Sequence, residues 1–272
     1  MKARTLVALA LFAAALPLGA QTASPDAQQI VRDAVQAELA ANRSDDTHWC
    51  YRVEEKTGDD TVSLVVETPH GAVKQAISRR GHPLTPQQSS AAALAVQEFI
   101  HDPAQQRKQR QNGEHDDKQA AELLNLFARA FLWTVGSDTA ELTTLNFKPD
   151  PSFHPPDMES RVMGTMTGEL VVDEAQHRIR TMRGHLTQEV NIGWGILGRL
   201  QAGGTFDVER RQVAPSKWQI TATSVHISGH ALFFKNISEQ QDEVKSDFVE
   251  VPNSTTLEQA AVMLQDAVNK AH

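Results

Sequence analysis

Cysteine is almost missing from this sequence. Cys50 stands alone among 272 residues, so no internal disulfide can form and stability has to come from a buried core. Long apolar stretches are missing beyond the first twenty residues. The most apolar later segment, 231–234, falls far short of the roughly 20 residues a spanning helix needs, so the mature chain is expected to carry no transmembrane span. Basic residues are in deficit, with 26 lysines and arginines against 34 acids, which argues against nucleic acid and anionic membrane surfaces as partners. There is no Gly-x-Ser-x-Gly elbow, no His-Glu-x-x-His and no pair of cysteines, so no motif points to a serine nucleophile or a zinc site. No cofactor, metal or catalytic residue is therefore assigned, and the chain is read as a non-enzymatic protein.

The N-terminus has the three-part order of a cleavable secretory signal peptide. Lys2 and Arg4 precede the apolar run 6–18, and Gly19-Ala20 places a small residue before the expected cut. A run of about 13 apolar residues is too short to span a bilayer, and no cysteine follows it for lipid attachment. Residues 1–20 are read as a leader and the mature protein as periplasmic or secreted. Losing Lys2 and Arg4 but no acid moves the formal net charge from −8 to −10. No internal linker rich in glycine, serine or proline divides 21–272, so one domain is expected there.

Helix signals flank the mature chain. Ser24 and Pro25 form a helix start, with Ile30, Val31, Ala34, Val35 and Leu39 recurring on one face. Near the other end, Thr255 and Glu258 have capping-box spacing ahead of the stripe Leu257, Ala261, Leu264 and Val268. Thr85-Pro86 opens a third helix, and Leu123, Leu124, Leu126, Phe127 and Phe131 mark a fourth. Between these two, the polar stretch 105–119 reads as a solvated helix end and loop. A short helix is expected near 158–163, after the Pro-rich segment 149–156.

The rest reads as strands: 49–55, 62–67, 72–78, 132–135, 142–147, and then 168–173, 178–192, 205–213, 217–227, 231–237 and 240–248. No helix signal separates the last six, so they cannot form a parallel sheet. The expected architecture is α+β: a large curved antiparallel sheet forming an unclosed barrel, with the helices covering its concave face.

Three constellations bear on chemistry. The run 193–198 matches the dinucleotide fingerprint Gly-x-Gly-x-x-Gly, yet it lacks the following helix and the acidic residue about 20 positions on. His226 and His230 sit four apart on an expected strand, roughly 13 Å, too far to share one ion. Glu114, His115, Asp116 and Asp117 read as a solvated acidic cluster. The apolar load near the long strands is more informative. Trp194, Ile196 and Leu197 occupy a Gly-rich bend, and consecutive Leu232, Phe233 and Phe234 point to both faces of a strand, so these six are the candidate ligand-binding residues.

Residues 168–180, Gly-Glu-Leu-Val-Val-Asp-Glu-Ala-Gln-His-Arg-Ile-Arg, resemble a recurrent hairpin of the periplasmic lipoprotein-carrier superfamily, in which a strand ends on an acid, turns, and returns through a basic and an apolar residue. Segments 193–200 and 228–247 are similar to uncharacterised exported acidobacterial proteins named outer-membrane lipoprotein-sorting proteins. The resemblance implies an unclosed antiparallel barrel whose apolar concave side is covered by helices and holds acyl chains. It therefore implies lipid or lipoprotein acyl chains as the ligand, with an envelope protein as a further partner. Two other functions are kept open: an envelope sensor or interaction module, which related regulators exemplify, and an envelope hydrolase with dispersed catalytic groups.

Overall fold

The computed structural model describes residues 25–157, 160–192, 198–230 and 238–271; residues 1–20, expected from sequence to be a leader, lie outside them. The chain opens with α1 (Pro25–Ser44) and the meander β1 (His48–Glu55), β2 (Thr61–Thr68), β3 (Gly71–Arg79) and β4 (His82–Pro83). Helices α2 (Pro86–Ile100) and α3 (Pro103–Ala130) follow, then β5 (Phe131–Asp138), β6 (Leu142–Pro149) and the 3-10 helix Ser160–Thr165. The second half runs through β7 (Met166–Asp173), β8 (Arg178–Leu186), β9 (Val190–Ile192), β10 (Gly198–Leu200), β11 (Thr205–Ala214), β12 (Lys217–His230) and β13 (Ser238–Val251), and ends with α4 (Leu257–Ala271).

Eleven strands form one continuous sheet in the order β4-β3-β2-β1-β13-β12-β11-β8-β7-β6-β5, and every pairing is antiparallel. The end strands β4 and β5 do not pair, so the barrel is unclosed. The short β9 and β10 form a side hairpin on β12. The α+β class and the antiparallel open sheet are as the sequence predicts.

Partners across an antiparallel ladder point to the same face. Leu145, Leu170, Met182, Val208, Thr223, Glu243 and Glu55 therefore mark one face across seven strands. On this face Val31, Ala34, Val35 and Leu39 of α1 and Phe127, Ala128 and Ala130 of α3 bury the inner surfaces of β5–β8. Its centre is aromatic: Phe127 meets Phe131, Trp133 and Phe147 with ring centroids 5.0, 5.2 and 5.3 Å apart. The opposite face carries a second core, where Leu64, Val66, Val73 and Val251 pack against Val96 of α2 and Leu257, Ala260, Leu264 and Val268 of α4. Two helices thus cover each face.

Helix α3 shows which face is concave. Asp102 caps its start, accepting from the amides of Ala104 and Gln105. Gln109 then fastens it to the β3 end of the sheet, its amide both accepting from Ala72 N–H (2.8 Å) and donating to Ala72 C=O (3.0 Å). Its far end packs on β5. From Gln109 to Ala130 the helix is about 32 Å long, whereas the ten strands from β3 to β5 would spread over about 43 Å if flat. The helix is a chord across a curved sheet, so the face it shares with α1 is the inner one. Residues 107–118 of this chord are exposed all round, the pattern of a helix that crosses open space.

Candidate functional site

Beyond the exposed stretch of α3, its apolar end closes over the inner face and leaves a cavity of about 350 Å³. Leu123, Leu124 and Phe127 of α3 form one wall, Val162 and Met163 of the 3-10 helix another, and Met166, Met182 and Phe206 of β7, β8 and β11 the floor. That volume lies at the low end of the range for small-molecule sites, and the lining is apolar throughout. Three methionines give a flexible surface able to follow an irregular or long-chain guest.

Local chemistry explains the shape. Gly168 and Gly184 pair across β7 and β8. A Cβ on Gly184 would lie 2.8 Å from the Phe206 ring and 2.6 Å from Thr167 C=O, and one on Gly168 would lie 2.0 Å from Arg183 C=O. Both positions need hydrogen for the strands to sit this close and for Phe206 to lean over Gly184. The 3-10 wall is pinned at both ends: Ser160 N–H donates to Asp157 Oδ1 (2.7 Å), and Thr187 donates through N–H and hydroxyl to Thr165 C=O (both 2.8 Å). Leu186, Val190 and Leu200 make a small apolar cluster behind Val162 and Met166.

Along β11 the inner row continues from Phe206 through half-buried Val208 to Arg210. There Glu38 of α1 is fully buried and accepts from Arg178 Nε (3.0 Å) and Nη2 (2.9 Å), from Ile179 N–H (2.8 Å) and from Arg210 Nη1. Arg178 also lies over the Trp218 ring, 5.8 Å from its centroid. Burial pulls the Arg210 guanidinium below its usual range, with Glu38 opposing the shift and Arg178 adding to it; a guanidinium stays charged in any case.

The outer face of the same strands is polar. Arg183 bridges Glu169 (3.5 Å) and Asp207 (3.6 Å), and Asp242 accepts from Ser224 (2.7 Å) while its other oxygen pairs with His226 Nε2 (2.8 Å). In this trio the carboxylate sits between hydroxyl and imidazole. Ser224 donates to Asp242 rather than to the His226 imidazole, so the trio lacks the hydroxyl-to-imidazole contact of a serine nucleophile.

The six residues singled out from sequence, Trp194, Ile196, Leu197, Leu232, Phe233 and Phe234, lie outside the described residues. Their stems share one corner of the sheet, with Arg199 paired to His230 and Ser228 to Ser238. Gly198 opens a strand and β11 follows it, so no helix is present to hold a pyrophosphate after the glycine-rich run. In the sequence Leu123, Leu124 and Phe127 belong to a core stripe, whereas Met166, Met182, Phe206 and Glu38 are not among the candidate residues. Glu38 had a visible signal, since it falls on the buried stripe of α1, four residues after Ala34 and three after Val35. No family model, curated protein or solved structure matches the chain.

Proposed function

We propose that this chain is an exported, periplasmic or secreted carrier that binds an acyl chain or another apolar ligand on the inner face of its open sheet, in outer-membrane lipoprotein sorting or related lipid handling. The apolar cavity between α3 and β7, β8 and β11 is the observation that carries the reading. Its methionine-rich lining and the exposed chord of α3 beside it suit a guest whose length varies. An open antiparallel sheet with a helix across its hollow is also what the lipoprotein-carrier resemblance implies.

The test is native mass spectrometry of mature protein purified from the periplasm, followed by solvent extraction. The expected result is an acyl-containing species at fixed stoichiometry. Met182→Trp, which fills the cavity floor, is expected to weaken binding of the neutral fluorophore N-phenyl-1-naphthylamine at least tenfold while the far-ultraviolet circular dichroism spectrum is kept. Protein that carries no extractable lipid and binds no apolar probe would sink the reading.

A further inference from the structure

The charges gathered at Glu38 do not balance. Glu38 is one carboxylate facing two guanidinium groups, and its oxygens are already taken by Arg178 and the Ile179 amide before Arg210 adds a single contact. Arg210 Nε is fully buried and has no hydrogen-bond partner among the described residues. A buried cation with an orphan donor costs free energy unless an anion completes it.

Its position is equally specific. Arg210 stands on the same face of the same strand as Phe206, four residues from the cavity floor, a run of roughly 13 Å. Half-buried Val208 lies between them, flanked on β12 by half-buried Thr223. Opposite Arg210, Ile220 is 42 % exposed, and the Arg210 side chain keeps 15 % of its own surface. A polar head at Arg210 thus lies within one short chain length of the apolar cavity.

We propose that the ligand is a single-chain amphiphile with an anionic head, carboxylate or phosphate, whose head is received by Arg210 and whose tail runs over Val208 into the cavity at Phe206 and Met182. The inference rests on the cavity being the ligand site and adds the head-group class. Arg178 stays on Glu38 as the structural partner, and Arg210 supplies the net positive charge. Bidentate recognition of carboxylate or phosphate is what an arginine fork is shaped for.

The test uses delipidated mature protein loaded with N-phenyl-1-naphthylamine and titrated with four competitors of equal chain length: dodecanol, dodecanoate, dodecyl phosphate and dodecyltrimethylammonium. Either anion, or both, is expected to displace the probe at least tenfold more tightly than dodecanol, and the cation less tightly. Which anion leads identifies the head as carboxylate or phosphate. Arg210→Gln leaves Glu38 and Arg178 as a matched pair, so it is expected to fold and to lose the preference for the anions over dodecanol. Arg210→Lys is expected to keep part of it. Equal displacement by all four would overturn the anionic head and leave the cavity reading standing. Absence of probe binding would remove the cavity reading and this inference together.

Discussion

Glu38 holds α1 to β8 and β11 through a two-bond fork with the Arg178 guanidinium and a single contact with Arg210. Glu38→Gln would leave two buried arginines facing a neutral amide, and the expected loss is about 3–5 kcal/mol, measured by urea unfolding. Glu67 is a separate case, because burial lifts its carboxyl above the usual range despite the Trp49 amide, Lys245 and His48. An acid whose pKa is higher folded than unfolded holds its proton more tightly in the folded state. That contribution is complete below the unfolded value, about 4.3, and is lost as pH rises through the folded one. Glu67→Gln keeps an acceptor for the Trp49 amide and is expected to flatten this fall in a series of melting curves across that window. The sequence shows Glu38 as an acid on an apolar stripe, but it cannot show that Arg178 and Arg210, far along the chain, arrive at the same point.

Helix α3 is the element least legible in the sequence. Its N-cap Asp102 and Pro103 are ordinary start signals, yet the stretch 105–119 has no apolar periodicity and reads as a solvated helix end and loop. It is helical because glutamine, lysine, arginine and glutamate are good helix formers and both ends are fastened, at Ala72 and at the aromatic core. Among the described residues, nothing beyond the helix's own backbone and the two chain neighbours lies within 4 Å of a Cβ built on Gly113 in the middle of this span. Gly113→Ala is therefore expected to stabilise the protein by up to about 1 kcal/mol in denaturant titrations. Amides of 107–118 are expected to exchange with deuterium faster than those of 121–130, which lie beside buried side chains. Smaller differences have local causes. The C-terminal capping box is Thr256 with Gln259, one residue on from the expected Thr255 and Glu258. The expected strand 178–192 is broken after Leu186, where Thr187 turns to hold Thr165.

At the scale of the molecule, alternating residues and short turns made the antiparallel sheet readable, while the neighbourhood of β1 and β13 was not, since pairing between strands from opposite ends of the chain leaves no local pattern. The two cores lie on opposite faces, which makes them separable by mutation. Leu264→Ala in α4, at a fully buried site, is expected to cost about 2–5 kcal/mol. It should leave probe affinity unchanged when binding is measured well below the melting temperature. Strand β13 is what joins the halves: its first part pairs with β12 and its second with β1. A seam made by the last strand means that β1–β4, though synthesised first, gain their sheet neighbour only when the C-terminal quarter has appeared. The half-sheet must wait with an unpaired edge, so folding should be slow for the protein's size, and a chaperone that shields an open strand would have its greatest effect in that interval.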